Sequence, residues 1–351
     1  MNICEYIVNK YNSEHKTSLS LKEVSRFQLP RIEAENDVIS ISRCTPVQLI
    51  LYSYGNPYLF HLYRLLYALL EHRYYDVCIE LYPIFIKEFN VTKHSIDHCL
   101  SQNPEWIITH LSFITLHELA HYNMSYDMTY KQEQLAICKK QLKSKSFLRG
   151  NNYFVKLFYR INLHKITKQD EWLEEFAADR IAFNELLSII FQKDYNTTRN
   201  AIICASCIGS AYFLEYAARI ERLYLNPTNS NNFKRIYNNI QREFRHSIYG
   251  RTRILLLDNY IRNFWEVYPI NDKQNLYRSL LLPVVENFNE KINVQLHTFV
   301  TPYHKVLRAG GNVDFSIEKK IDIEQKMYKF NNSLLETLNK SISKKGLIYS
   351  V

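Results

Sequence analysis

The chain has 351 residues, of which 46% are hydrophobic, so it can bury a large core, and this content argues against intrinsic disorder. It holds only 7 Gly and 9 Pro, which favours long helices over turn-rich β structure. With 44 Lys and Arg against 35 Asp and Glu, its formal net charge is +9. We expect a mainly α (α+β) protein with a basic surface.

The positive charge is spread along the chain, with a local excess at 131–149 and 340–345. A basic protein can bind nucleic acid or an acidic protein. The sequence, however, has no zinc-finger spacing, no helix-turn-helix signature and no stacked-aromatic RNA-binding pattern. We therefore interpret the charge as a solvated basic surface, and we do not expect a nucleic-acid partner.

The cysteines and the N-terminus both favour a reducing compartment. The 7 cysteines are odd in number and scattered, which disfavours a disulfide framework. Cys204 and Cys207 have C-x-x-C spacing, but they lie in an apolar helical run where buried free thiols are expected. The first residues lack the basic and apolar parts of a signal peptide, and no apolar run is long enough to cross a membrane. We expect a soluble, cytoplasmic protein with no membrane partner.

The N-terminal part predicts a helix followed by strands. Residues 1–16 favour a short polar-rich helix or an arm. Three stretches then alternate apolar and polar residues, as half-buried strands do: Ser18–Leu21, Arg26–Leu29 and Val38–Ser42. Asn36 and Asp37 supply a turn. We predict a small antiparallel sheet, in which Val38–Ser42 is an edge strand that could hold a peptide substrate by strand addition.

The rest of the chain is mostly helical in pattern. We predict helices over 57–72, over 74–89 around Pro83, from Pro104 through residue 123, over 170–190, over 201–224 and over 315–342. Residues 125–169 form a long insert that contains a basic helix. We interpret residues 1–351 as a single domain, with N-terminal strands and helices over 1–100, a core over 101–255 and a C-terminal helical part over 256–351.

The pattern H-E-x-x-H occurs once in this chain, as His117-Glu118-Leu119-Ala120-His121. Residues four apart on a helix share a face, so the two imidazoles can bind one metal ion. Glu118 lies beside that face, where it can reach a metal-bound water. With 12 His and 24 Glu in 351 residues, roughly 0.03 chance matches are expected. Zinc suits two imidazoles and an open coordination position.

A zinc site needs a third protein ligand, and the helix over 170–190 is the best source. Glu175 and Asp179 are four residues apart on one face of it. A glutamate on zinc, with an aspartate one turn later that accepts the outer N–H of a ligating histidine, makes mechanical sense. Glu171 and Glu174 remain competing candidates for the ligand.

H-E-x-x-H followed by E-x-x-x-D on a later helix resembles the gluzincin metallopeptidases. The resemblance covers about residues 105–190. It implies a zincin-like fold with one Zn²⁺ per chain held by His117, His121 and Glu175. In that pattern Glu118 is the catalytic base and Asp179 orients a ligand.

Within the gluzincins the layout is most similar to the Lit-type phage-exclusion peptidases. The resemblance implies a zinc-dependent endopeptidase that cuts a host cytoplasmic protein during phage exclusion. A phage-encoded activator is then a candidate trigger. The 53 residues between His121 and Glu175, 122 to 174, are more than the Lit-type layout predicts.

A residue from the C-terminal half could stabilise the oxyanion formed during amide attack. Many gluzincins have His-Pro and a later Arg in this region, but Ser247 replaces the Pro here and the spacing to Arg253 is off by one. We take His246 as the catalytic candidate, with Tyr249, Arg251 and Arg253 as alternatives. Arg253 could instead tie core helices together.

Two other interpretations stay open. A zinc-stabilised interaction or regulatory protein would need His117 and His121 but not Glu118. A nucleic-acid-binding regulator would hold no metal and would show a steep salt dependence. His94 and His98 are also four apart, but no Glu follows the first, so surface histidines are expected there. The enzyme is favoured because Glu118 has no evident structural purpose beside the ligand pair.

Overall fold

The structure, a computed structural model, describes residues 3–24, 32–71, 73–143, 167, 170–191, 202–214, 248–267 and 316–346. The described helices are α1 Ile3–His15, α2 Cys44–Ser53, α3 Pro57–Glu71, α4 Tyr75–Gln102, α5 Pro104–Tyr126, α6 Met128–Lys143, α7 Asp170–Phe191, α8 over 202–214, α9 Ile248–Val267 and α10 Ile317–Lys344. The described strands are β1 Ser20–Val24, β2 Ile32–Glu35 and β3 Val38–Ser42. The protein is therefore mainly α with a small N-terminal sheet, as its composition predicts.

The sheet has the order β1-β3-β2, and its pairing is mixed rather than wholly antiparallel. β1 runs parallel to β3, with Ser20 opposite Val38, whereas β2 is antiparallel to β3. The β2–β3 turn places Asn36 and Asp37 at positive φ of 49° and 62°, a conformation that Asn and Asp adopt more readily than most residues.

Val38–Ser42 pairs on both sides, so the expectation that it is an edge strand was wrong. Alternation decides which face of a strand is buried, but it does not decide which strands are its neighbours. Ile39 and Ile41 are indeed buried on one face. The predicted strand Arg26–Leu29 lies outside the described residues.

Helix α5 is the centre of the packing. Every residue from Ile107 to Ala120 is buried except Glu118, which is typical of a helix surrounded by other elements. Pro104 starts the helix at a position where the missing N–H costs nothing. The hydroxyls of Thr109, Ser112 and Thr115 each donate to a carbonyl four residues back, so these buried polar groups are satisfied within the helix.

Helix α1 runs parallel to α5 and contacts it at two levels. The Thr115 hydroxyl oxygen lies 3.5 Å from the Cys4 sulfur, and eight residues further along α5 the Asn123 amide donates to the Tyr11 hydroxyl. The tip of the β2–β3 turn contacts the same end of α5, where the Tyr122 hydroxyl donates to the Asp37 carboxylate. The C-terminal end of α5 is therefore fixed by both α1 and the sheet.

Helices α4 and α10 lie side by side in parallel. Lys319 pairs with Asp76 at 2.7 Å near their N-termini, and Lys345 donates to the Gln102 carbonyl at 2.7 Å near their C-termini. The sequence predicted that the α4 helix ends near residue 89, but it continues to Gln102. Burial of Ile96 and Leu100 extends it, and Pro83 is accommodated inside it at the cost of one backbone hydrogen bond. Among the described helices, none is both long and apolar enough to cross a membrane.

Candidate metal centre

Helices α5 and α7 meet at a cluster of His117, His121 and Glu175. The two histidine Nε2 atoms lie 3.1 Å apart. Glu175 Oε2 is 3.4 Å from His117 Nε2, and Glu175 Oε1 is 3.4 Å from His121 Nε2. His117 is buried, while the side chains of His121 and Glu175 are 27% and 40% exposed. These three residues could hold a metal ion, with one side of the cluster open to solvent.

The separations fit a tetrahedral ion. Metal–nitrogen and metal–oxygen bonds of about 2.0–2.2 Å at tetrahedral angles put neighbouring donor atoms about 3.3–3.6 Å apart. The observed edges between His117, His121 and Glu175 are 3.1, 3.4 and 3.4 Å. Two imidazoles and one carboxylate that leave a fourth position free are a donor set found in catalytic zinc sites.

Asp179 lies behind His117, on the side away from the other donors. Its Oδ1 is 3.0 Å from His117 Nδ1, although the ring N–H is not aligned with that oxygen. Asp179 is 1% exposed. A carboxylate at the outer nitrogen favours the tautomer whose Nε2 lone pair is free for a metal. Asp179 is therefore placed to orient His117.

Arg253 on α9 joins Glu175 and Asp179, two of the acidic residues of α7. Its Nε and Nη2 donate to Asp179 at 2.5 and 2.8 Å, and its Nη1 is 3.0 Å from Glu175 Oε2. The residue is 3% exposed. One guanidinium therefore holds a candidate ligand and the residue that orients another ligand, and the planar fork of arginine suits this double role.

The charges of the cluster shift its pKa values in opposite directions. Burial lowers the pKa of His117, but the Asp179 and Glu175 carboxylates outweigh it and raise that pKa from 6.5 to about 9. Burial would raise the pKa of Glu175, but Arg253 and the two histidines hold it well below its usual 4.5. Asp179 likewise has a lowered pKa because Arg253 opposes the effect of burial. The lowered pKa values favour the ionised form of both carboxylates, which is the form that Glu175 needs as a ligand.

Glu118 lies on α5 beside this cluster and is half-buried. Burial raises the pKa of its carboxyl, and the positive charge of His117 and His121 partly offsets the effect. A raised pKa makes a carboxylate a stronger base, which suits a group that takes a proton from water.

Small residues let α7 approach α5. Ala177, Ala178 and Ala182 are fully buried, and Ala182 follows Glu175 and Asp179 on the same helical face, at spacings of seven and three residues. Cys204 and Cys207, predicted to be buried free thiols, are fully buried on α8.

The structure separates the competing ligand candidates. Glu174 points away from the cluster and pairs with Lys131 of α6, and the side chain of Glu171 lies outside the described part of the chain. His246 also lies outside it, as do the side chains of Tyr249 and Arg251. The sequence offered Arg253 either as an oxyanion donor or as a tie between core helices. In the structure it joins α9 to α7, which is the second of these roles. His94 and His98 are exposed on α4, as expected.

Comparison with known proteins adds no relative. No protein-family model, no curated protein and no solved structure matches the chain. The geometry of the cluster and the sequence patterns that form it are therefore the observations that bear on function.

Proposed function

We propose that this protein is a zinc-dependent endopeptidase of the gluzincin type. The observation that carries the proposal is the convergence of His117, His121 and Glu175, with Glu118 beside them on the turn that holds both histidines. A site that only stabilised a fold would be closed by a fourth protein ligand. In the described part of the chain the cluster has three protein donors, and the partial exposure of His121 and Glu175 leaves it accessible to solvent.

His117, His121 and Glu175 would hold the zinc ion, which would supply a Lewis acid for the scissile carbonyl and for the attacking water. Glu118 accepts the proton of the attacking water and later donates it to the leaving amine, a role that its raised pKa favours. The proton therefore moves from water to the new amino terminus through one carboxylate.

Asp179 and Arg253 keep the ligands in place during this reaction. Asp179 orients the buried ring of His117, and Arg253 fixes Glu175 Oε2. Arg253 contacts Asp179 twice and Glu175 once, all within 3.0 Å. We therefore assign its guanidinium to holding these two residues and not to the oxyanion. The oxyanion donor is therefore a different group, and His246 remains our candidate.

The substrate we propose is a host protein in the cytoplasm, cut during phage exclusion. This part of the proposal follows from the Lit-type layout of the zinc helix and the later glutamate helix. Peptide-bond hydrolysis itself follows from the cluster and does not require the phage-exclusion role.

Metal content and cleavage together test the proposal. Elemental mass spectrometry should find one zinc ion fewer per chain in Glu175→Ala than in the wild type and in Glu118→Gln. Cells expressing the wild type should yield new protein N-termini that are absent with Glu118→Gln, with His94→Ala as the exposed-histidine control. A wild type without zinc after reconstitution would sink the proposal. Zinc with identical N-termini in wild type and Glu118→Gln would favour a non-enzymatic zinc protein.

A further inference from the structure

A second group of metal-binding side chains lies where the end of α1 meets α7. It consists of Glu14, His15 and Glu185, each of which offers a donor atom within 4.8 Å of the other two. In the described ranges, this group and the His117 cluster are the two places where three such donors converge. The second group shares no residue with the first.

One donor separation resembles those of the first cluster. His15 Nε2 lies 3.4 Å from Glu185 Oε2, within the range of about 3.3–3.6 Å expected for two donors on one tetrahedral ion. One imidazole and two carboxylates form a mixed nitrogen and oxygen set, which suits divalent transition metals better than Mg²⁺ or Ca²⁺.

The imidazole is held in position before any ion arrives. The His15 ring stacks on Tyr11, with centroids 4.2 Å apart and an interplanar angle of 24°. The hydroxyl of Tyr11 in turn accepts from Asn123 of α5. A ligand whose ring is already oriented loses less conformational entropy on binding a metal.

A simple surface ion pair would use only part of this arrangement. It would join protonated His15 to Glu185 and would leave Glu14 to its pair with Lys10 at 3.3 Å. Because Lys10 competes for Glu14 and the group is largely exposed, a metal there binds more weakly than at the buried cluster. We expect an apparent affinity about tenfold lower.

We propose that Glu14, His15 and Glu185 form a second divalent transition-metal site, which ties the end of α1 to α7. Helix α7 also carries Glu175, so the ion would brace the helix that supplies the third ligand of the first site. The proposal does not rest on peptidase activity.

Zinc stoichiometry at defined free zinc concentration, measured by equilibrium dialysis and elemental mass spectrometry, tests this site. The wild type should bind two zinc ions in two steps, and His15→Ala only the tighter one. His121→Ala should keep the weaker ion, and the double variant should bind none. His94→Ala, which removes an exposed helical histidine elsewhere, should still bind two.

Glu185→Gln provides an independent check, because it removes a different donor. It should lose the weaker ion as His15→Ala does. A wild type whose only zinc ion is lost in His121→Ala, or a second ion that survives in both His15→Ala and Glu185→Gln, would overturn the proposal. A wild type whose only zinc ion is lost in His15→Ala and kept in His121→Ala would contradict the proposed function but not this site.

Discussion

At the residue scale, the site depends on two buried groups that never need to touch a substrate. Asp179 is 1% exposed and Arg253 is 3% exposed, and they neutralise each other through a two-pronged ion pair. A buried carboxylate is tolerated only when it is paired and hydrogen-bonded. The pair can therefore place a negative charge behind His117 without unfolding the core.

Replacing Asp179 by Asn should weaken zinc binding. The amide keeps the shape but loses the charge that favours the metal-binding tautomer of His117, so zinc affinity should fall about 10- to 100-fold. Competition with a chromophoric chelator measures this. Glu174→Gln is the matched control, since it changes a neighbouring carboxylate that pairs with Lys131 instead. Equal affinity for Asp179→Asn and the control would show that Asp179 does not orient the ligand.

Replacing Arg253 by Leu should destabilise the fold as well as the site. It leaves Asp179 buried without its partner, which costs about 3–5 kcal/mol. Urea unfolding of the metal-free proteins measures the change in the free energy of unfolding. Arg43→Leu removes an exposed arginine that pairs with Glu23 at 3.1 Å, and it should cost no more than about 1 kcal/mol. Similar costs for the two variants would mean that the Arg253 pair is not a buried one.

At the element scale, the spacing between α5 and α7 sets the distance between the histidines and Glu175. Ala177, Ala178 and Ala182 are small and fully buried, so the axes of α5 and α7 can lie close together. The site forms where these two helices contact each other. Interiors are close-packed, so added volume at this contact must be taken up by moving one helix or straining a side chain. The distance between the histidines and Glu175 therefore depends on how α7 packs against α5.

The variant Ala182→Leu should move α7 away from α5. Overpacking of a fully buried position costs about 1–3 kcal/mol, and zinc affinity should fall because Glu175 is displaced from the histidines. Thermal unfolding and zinc competition measure the two effects. Ser188→Leu, at an exposed position of the same helix, should change neither. Unchanged zinc affinity in Ala182→Leu would show that the ligand separation tolerates a shift of α7.

At the scale of the whole molecule, the cysteines show how far the core extends. Burial raises the pKa of Cys4 to about 11, of Cys138 to about 11 and of Cys78 to about 12. These thiols come from α1, α6 and α4, so all three helices contribute residues to the packed interior. All seven cysteines are free.

Iodoacetamide should therefore label the native protein selectively. The thiolate is the reacting form, so buried thiols with raised pKa react slowly. Cys99, which is half-buried, should be modified first at neutral pH, and Cys4, Cys78 and Cys138 only after unfolding. Peptide mass spectrometry over a time course reads out each site, with urea-unfolded protein as the control. Equal native rates at Cys78 and Cys99 would contradict the buried core.

The sequence alone determined those features that depend on residues close together in one helix. The four-residue spacing of His117 and His121 puts both on one face in any helix, and the same rule pairs Glu175 with Asp179. It also predicted the long helices, because apolar periodicity and the scarcity of Gly and Pro act locally. These features do not depend on contacts with residues far away in the sequence.

Only the tertiary structure decided the contacts between distant segments. Four features depend on segments that are far apart in the chain. They are the choice of Glu175 over Glu174, the attachment of Arg253 to α7, the central place of β3, and the meeting of Glu14 and His15 with Glu185. A strand pattern or a lone charged residue does not specify its partner, since many partners satisfy the same local preference. For Glu175 and Arg253, the packing of α7 against α5 selects the partners, because buried charges must be paired.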